Sequence, residues 1–150
     1  MRTTIRTMAV LCAAAFFLGG CASTPGNASA PLSDEQLIAA VVAKLKTSWE
    51  QLDVDAYLAL LSDDFADAEA DEGEGGKEAL GEGLRMAIDQ GYFDGIVIDI
   101  ENTSIAIEGT TAQVAGIMMD ASFGRNEMDL ALRKESDGVW RIVGEGGDEE

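Results

Sequence analysis

The chain has 150 residues, 47% of them hydrophobic, which is enough for one compact domain with an appendage. It carries 28 acidic against 10 basic residues, and the resulting net charge of −18 disfavours nucleic acid and anionic headgroups as partners. It contains no histidine, which excludes Ser-His and Cys-His nucleophile pairs and removes the commonest transition-metal ligand. We therefore expect no nucleic-acid partner and no cofactor.

Residues 1–20 predict an export signal. The basic segment Met1–Arg6 precedes an apolar run from Met8 to Leu18, which is shorter than the roughly 20 residues that span a bilayer. The following Leu18-Gly-Gly-Cys21 resembles the lipobox of bacterial lipoproteins. The resemblance implies cleavage before Cys21, lipid on its thiol and acylation of the new amino terminus. The lipid bilayer is then a partner through acylated Cys21, and two or more acyl chains anchor a protein firmly.

Ala22 stands where an aspartate would alter sorting, so the lipoprotein resemblance implies the outer membrane, with the protein facing the periplasm. Residues 21–32 are small, polar and punctuated by proline and glycine, which predicts a flexible tether. The folded domain is predicted over residues 33–144 and an acidic tail over residues 145–150. Loss of the signal removes two arginines, which leaves 8 basic against 28 acidic residues and a net charge of −20.

Three helices are predicted after the tether. Ser33 and Gln36 have the spacing of a capping box, and apolar residues then recur at helical spacing, so the first helix is predicted from Asp34 to about Leu52. Asp53 caps a short second helix. The third helix is predicted over Lys77–Gln90, where the apolar stripe again has helical spacing.

A dense acidic stretch precedes the third helix. Asp67, Glu69, Asp71 and Glu78 have the spacing of carboxylate ligands in a calcium loop, but Glu72 occupies the position that needs glycine. Like charges at this density repel each other and favour a solvated segment. We therefore expect no metal site.

From Phe93 onward the hydrophobic period changes to two, which is typical of strands. Ile98 and Ile105 lie on alternations of opposite parity, so a bend or bulge is predicted at Asn102–Ser104. The remaining predicted elements are a central strand over Ala112–Ala121, a loop over Ser122–Asn126, a strand with Met128, Leu130 and Leu132 on one face, and a last strand over Val139–Val143.

Helices followed by an antiparallel meander form an α+β pattern. Five features make this pattern specific. They are a first helix that ends in Trp49, the corner Asp53–Phe65, a helix that begins with Gly76–Leu80, a strand that begins with Thr111–Val114, and the segment Asp137–Val143 that ends the domain. These features resemble the nuclear-transport-factor-2-like superfamily in its SnoaL-like branch. The resemblance implies three N-terminal helices packed on a curved antiparallel sheet, a cone-shaped, cystatin-like roll. It also implies an apolar pocket and a homodimer that forms through the sheet.

This superfamily includes ketosteroid isomerase, cyclases, dehydratases and non-catalytic binding modules, so the fold does not define the function. An isomerase of this type needs a carboxylate base with a tyrosine and a protonated acid as oxyanion donors. Tyr57 is the candidate donor, and Asp120 is the candidate acid because it shares strand parity with Val114 and Met118. The favoured interpretation keeps Tyr57 at the helix corner with its hydroxyl at the surface and Asp120 at a strand end in water, because the isomerase constellation is not reproduced.

A pocket for a small apolar ligand is predicted from Trp49, Tyr57, Phe65, Met118 and Asp120. Large aromatic residues are more often core, and Trp49, Phe65, Phe123 and Trp140 are interpreted first as stability residues. The sequence thus favours a membrane-anchored lipoprotein with a non-catalytic binding or interaction domain. The alternatives are a small-molecule isomerase, cyclase or dehydratase, and a structural envelope protein that binds a protein partner through its sheet.

Overall fold

The computed structural model describes residues 31–65 and 76–146 of the chain. Three helices precede five strands: α1 Asp34–Glu50, α2 Val54–Leu58, α3 Lys77–Asp89, β1 Val97–Asp99, β2 Ser104–Glu108, β3 Thr111–Ala121, β4 Gly124–Lys134 and β5 Trp140–Gly146. The strands form one curved antiparallel sheet, so the predicted α+β class with helices packed on the sheet is confirmed.

The first two helices begin where their predicted caps lie. The amide of Gln36 donates to Ser33 Oγ over 3.3 Å, and the amide of Ser33 donates to Gln36 Oε1 over 3.0 Å, which completes a capping box. Asp53 caps α2 by accepting from the amide of Ala56 over 3.0 Å. Leu52 between them has φ 53°, a left-handed conformation that turns the chain sharply from α1 into α2.

The strand order is β1-β3-β4-β5, and β2 pairs with β3 beside β1. The bend predicted at Asn102–Ser104 is confirmed, since β1 and β2 are separate strands that pair with different parts of β3. The loop predicted over Ser122–Asn126 was wrong: β4 already begins at Gly124, which pairs with Ala121. Continued backbone pairing to the end of the long β3 outweighs the polar composition of this segment.

The last strand is longer than predicted. β5 continues past Val143, and Gly144 and Glu145 pair with Ala131 and Leu130 of β4. Glu145 therefore belongs to the sheet and not to an acidic tail.

Two bulges interrupt the sheet's alternation. In β3 the register shifts between Val114 and Ile117, which are both fully buried, and Gly116 adopts φ 84° inside the bulge. In β5 one extra residue lies between Ile142 and Gly144, which pair with adjacent residues of β4. After each bulge, every later residue of the strand lies on the face of the sheet opposite to the one that simple alternation predicts.

The core lies between α1 and the inner face of the sheet, which we define as the face that packs against the helices. α1 contributes Ile38, Val42, Leu45 and Trp49, and the strands contribute Ile98, Val114, Ile117, Leu130, Leu132 and Ile142. Among the described residues, no helix has the length and apolar character needed to span a membrane.

Candidate functional site

A tyrosine and a carboxylate meet where α2 approaches the end of β5. The hydroxyl of Tyr57 donates to Glu145 Oε1 over 2.6 Å. Tyr57 is buried, with 3% of its surface exposed, and Glu145 is half-buried. The interpretation that left the Tyr57 hydroxyl at the surface was therefore wrong, because Glu145 at the end of β5 lies over it. The pair joins the second helix to the edge of the sheet at the inner face.

Glu145 reaches this face because of the bulge in β5. Ile142 faces the core, so simple alternation would turn Gly144 inward and Glu145 outward. The extra residue reverses this, and Glu145 pairs with the fully buried Leu130. The sequence does not indicate the role of Glu145, because its surroundings are acidic and glycine-rich. The neighbouring Gly144 is the local sign that a bulge is tolerated here.

Trp49 lies against the same tyrosine. Its ring centroid is 5.2 Å from that of Tyr57 and 5.1 Å from that of Phe93. The indole Nε1 of Trp49 is buried and has no hydrogen-bond partner among the described residues. A small pocket of about 10 Å³ lies beside these rings and is also lined by Leu84 and Ile88 of α3. This volume is about that of one water-sized group, so the space holds no small-molecule substrate.

The Tyr57–Glu145 pair and the Trp49 indole offer groups that can exchange or donate a proton. A phenol bonded to a carboxylate can exchange a proton with it, and a buried N–H can donate to an acceptor atom placed beside it. In the structure the phenol proton is directed to Glu145, and the space next to the indole is small. The arrangement could polarise a carbonyl only if Tyr57 released Glu145 and α3 moved outward.

The predicted acid of the site lies elsewhere. Asp120 is exposed and Met118 pairs with Glu127, whereas Ile117 between the bulge and Met118 is fully buried. Met118 and Asp120 are therefore on the outer face, and the parity that placed them with Val114 was wrong. The physical reason is the β3 bulge, which adds one residue between Val114 and Ile117 and reverses the alternation.

The remaining predicted aromatic residues divide into core and surface. Phe65 and Trp140 are buried in the same cluster as Trp49 and Tyr57, as their interpretation as core residues expects. The interpretation of Phe123 as a core residue was wrong, because it lies in the β3–β4 turn and is 51% exposed, with an edge contact between its ring and that of Phe93 at 5.7 Å. Of the five predicted pocket residues, the structure brings together Trp49 and Tyr57, with Phe65 in the same cluster.

A larger space lies outside the cone. A surface groove of about 530 Å³ runs between α1 and α2, and is lined by Ala43, Lys44, Thr47, Gln51, Ala56 and Ala59 among others. Its walls are mainly short side chains, and Lys44 supplies a cation. This groove at the surface between α1 and α2 is thus much larger than the space beside Trp49 and Tyr57.

A second polar cluster holds the chain after α2 to the sheet. Ser62 is buried, and its Oγ lies 2.5 Å from Asp64 Oδ1 and 2.6 Å from Glu135 Oε1. Arg133 bonds Asp64 over 2.6 Å, and Arg141 bonds Glu135 over 2.6 Å. The hydrogen bond from Ser62, followed by that from Arg133, holds the pKa of Asp64 below its usual value. We interpret this cluster as structural, because every charged group in it has a partner of opposite sign.

Of the four acidic residues with calcium-like spacing, Glu78 lies within the described residues. Asp67, Glu69, Asp71 and Glu72 lie outside the described residues, and Glu78 is exposed in the first turn of α3. Within the described residues, no group of three or more acidic, histidine or cysteine side chains could hold a metal ion.

Comparisons with known proteins identify the fold. No family model matches the chain, and a search of curated proteins finds no match. Among solved structures, a cystatin-like protein from Nostoc punctiforme is 23% identical, with a TM-score of 0.59 over 75% of this chain and 87% of its own. A nuclear-transport-factor-2-like protein from Pseudomonas putida is 18% identical, with a TM-score of 0.59 over 77% of this chain and 89% of its own. A nuclear-transport-factor-2-like superfamily protein from Salmonella enterica is 15% identical, with a TM-score of 0.59 over 77% of this chain and 92% of its own. At these identities the comparison shows the fold alone.

Proposed function

We propose that this chain, which has the nuclear-transport-factor-2-like fold, is a lipid-anchored bacterial envelope protein whose domain is a non-catalytic binding or interaction module. The observation that carries the proposal is the difference in volume between the space beside Trp49 and Tyr57 and the groove at the surface. The space beside Trp49 and Tyr57 measures about 10 Å³, whereas a groove of about 530 Å³ is open at the surface. Ligand pockets are clefts or cavities of roughly 300–1,000 Å³, so the groove, and not the space beside Trp49 and Tyr57, has the volume to take a ligand.

The anchoring part of the proposal is supported by the amino-terminal sequence. A basic segment, a short apolar run and Leu18-Gly-Gly-Cys21 occur in the order that lipoprotein export requires. Each buried methylene of an acyl chain contributes about 0.8 kcal/mol to membrane binding, so the loss of the acylated cysteine should release the domain. Ala22 supports delivery to the outer membrane, where the domain would face the periplasm.

The anchor is tested with a matched pair of cysteine variants in a bacterial host. Cys21→Ser should abolish incorporation of labelled palmitate and move the protein from the membrane to the soluble fraction. Cys12→Ser lies within the predicted signal and should leave both readouts unchanged. Equal palmitate labelling of the wild type and Cys21→Ser would overturn the anchoring proposal.

The binding part is tested by native mass spectrometry of the detergent-extracted protein, which reports a retained lipid, a bound ligand and the oligomer together. A Trp140→Phe background leaves Trp49 as the remaining tryptophan, so its fluorescence reports the interior. A non-catalytic module that binds at its surface should show no quenching with a panel of small apolar ligands. Saturable quenching would favour a pocket for a small apolar ligand instead.

An isomerase, cyclase or dehydratase is the second candidate function, and the contact between Tyr57 and Glu145 is the observation that favours it. In this role Glu145, and not Asp120, would be the acid or base beside the phenol. The test is deuterium exchange into a panel of enolisable ketones in D₂O, with the wild type, Tyr57→Phe and Glu145→Gln. Exchange by the wild type that both variants lose would establish catalysis and overturn the non-catalytic module.

A further inference from the structure

The groove between α1 and α2 differs in charge from the rest of the protein. Among the described residues that line it, Lys44 is the only charged one, and none is acidic. The chain as a whole carries 28 acidic against 10 basic residues. The groove is therefore a neutral surface with one cation on a strongly acidic protein.

Lys44 has no carboxylate partner among the described residues. Of the 10 cationic residues in the chain, Arg2 and Arg6 lie outside the described part, which leaves 8. Six of these form an ion pair with a carboxylate: Lys46, Lys77, Arg85, Arg133, Lys134 and Arg141. The residues one turn before and after Lys44 on α1 are alanine, valine, threonine and serine, so its own helix offers no acidic neighbour. The charge of Lys44 is therefore available to a ligand.

The other polar side chains of the groove supply one further hydrogen-bond donor. Thr47 Oγ1 and Ser48 Oγ donate to backbone carbonyls one turn earlier in α1, over 2.9 Å and 2.8 Å, so both hydroxyl protons are used within the helix. The side-chain amide of Gln51 makes no hydrogen bond with the described residues. It lies two turns beyond Lys44, about 10 Å along the helix axis. The two unused donors, an ammonium and an amide, both favour a ligand that accepts hydrogen bonds.

The apolar part of the groove suits the body of such a ligand. Ala43 of α1 and Ala56 and Ala59 of α2 line the groove, and all three are exposed. Their short side chains allow a ligand to approach both helices closely, and the half-buried Leu60 adds apolar surface at the same site. Burial of an apolar body against these residues is favourable, because it removes apolar surface of both partners from water.

The net charge of the protein selects a small anion over a large one. An acidic protein surface or an anionic bilayer brings many negative charges, and the net charge of −18 repels each of them. A small ligand with one carboxylate brings a single charge. At physiological ionic strength, charges farther away than about 8 Å are largely screened, so the nearby Lys44 dominates its interaction with the protein.

We infer that the groove between α1 and α2 binds a small organic monocarboxylate with an apolar body. The ammonium of Lys44 pairs with the carboxylate, and the alanines of the two helices contact the body. The inference rests on the binding module proposed above and names the class of its ligand. Because the ion pair is exposed and the body is small, we expect Kd on the order of 1 mM.

Three probes that share one apolar body test the charge of the head group: phenylbutyrate, phenylbutanol and phenylbutylamine. NMR amide chemical shifts of the detergent-extracted full chain report which residues each probe contacts. The acidic protein as a whole favours the amine, so only a local cation can favour the carboxylate. We expect phenylbutyrate to shift the amides of the groove with a Kd about two- to fivefold below those of the other probes. Equal or tighter binding of the amine there, or no shift of these amides by phenylbutyrate, would overturn the inference.

Two methionine variants separate the role of Lys44 from that of the net charge. Lys44→Met should raise the Kd of phenylbutyrate about two- to fivefold and abolish its preference over phenylbutanol. Arg125→Met is the matched control, because it removes the other described cation without a carboxylate partner, which lies on β4 away from the groove. It should leave the Kd of phenylbutyrate unchanged. Equal effects of the two variants would indicate a general charge effect and would overturn the inference.

A bulky side chain in the groove tests the position of the ligand independently. Ala56→Phe occupies the groove and should abolish the shifts that phenylbutyrate causes there. Ala39→Phe is the control, because Ala39 is exposed on α1 and does not line the groove. Circular dichroism checks that the variants fold. Binding that Ala56→Phe leaves unchanged would overturn the inference, but palmitate labelling and the ketone exchange would not change, so this failure is distinguishable from failure of the proposed function.

Discussion

The hydroxyl of Tyr57 bonds the carboxylate of Glu145 over 2.6 Å and so ties α2 to β5 across 88 positions of the chain. Neither residue could form this contact without a backbone irregularity: the left-handed Leu52 turns the chain from α1 into α2, and the β5 bulge turns Glu145 inward. Tyr57→Phe should lower the free energy of unfolding by about 1 kcal/mol, since a buried hydrogen bond to an ionisable group is lost.

Urea denaturation measures this loss. The control is Tyr92→Phe, which removes the hydroxyl of a tyrosine that is 54% exposed and should change stability by less than about 0.5 kcal/mol. Combining Tyr57→Phe with Glu145→Ala should cost less than the sum of the single changes, because both remove the same contact. Equal losses for the two tyrosines would contradict the structural role of the pair.

Replacing each tryptophan with phenylalanine, which removes the indole N–H, should affect the free energy of unfolding differently at the two positions. Trp140 Nε1 donates to Asp34 Oδ1 over 3.0 Å, whereas Trp49 Nε1 is buried with no partner among the described residues. Trp140→Phe therefore breaks a hydrogen bond, while Trp49→Phe removes a donor that costs stability when unsatisfied. We expect Trp140→Phe to be the more destabilising by about 1–2 kcal/mol in chemical denaturation. A larger loss for Trp49→Phe would mean that its indole makes a contact in solution.

Asp34 predicts a pH-dependent contribution to stability. The hydrogen bond from Lys134, followed by that from Trp140, holds the pKa of Asp34 below its ordinary value of 3.8. A lowered pKa means that the ionised form stabilises the fold, so the contribution is complete above pH 3.8 and is lost as the pH falls through the lowered value. The stability difference between the wild type and Asp34→Asn should be constant from neutral pH to about pH 5 and should shrink below pH 3.8.

Unfolding by urea across this pH series measures the difference. Lys134→Met removes the main cause of the lowered pKa of Asp34, so in that background Asp34→Asn should show a weaker pH dependence. A stability difference between the wild type and Asp34→Asn that increased on acidification would contradict the lowered pKa of Asp34.

Gly116 and Gly83 should respond to alanine in opposite directions. Gly116 has φ 84°, and a Cβ there would lie 3.0 Å from the carbonyl oxygen of Asn102, so Gly116→Ala should cost about 1–3 kcal/mol. Gly83 is in the middle of α3, and a Cβ there meets no atom within 4 Å, so Gly83→Ala should stabilise by about 0.5–1 kcal/mol. Thermal unfolding of both variants checks the signs, and a neutral Gly116→Ala would argue against the bulge.

Much of the fold could be predicted from local patterns. The capping box at Ser33, the cap at Asp53 and the change of period after Phe93 locate the helices and the start of the sheet, because these signals depend on residues a few positions apart. The same local information placed Trp49, Tyr57 and Phe65 in one corner, and the structure buries all three in one core cluster.

The sequence by itself therefore determined the fold class, the order of the elements and the aromatic corner, since hydrophobic periodicity and capping are properties of short segments. Only the tertiary structure decided which carboxylate meets Tyr57. A single extra residue in a strand moves every later side chain to the other face of the sheet. The alternating hydrophobic pattern in the sequence does not indicate where that extra residue lies. The bulge in β3 turned Asp120 to the outer face, and the bulge in β5 brought Glu145 to the inner one. The pairing of distant strands sets both positions, because the backbone hydrogen bonds to the neighbouring strand determine where the register shifts.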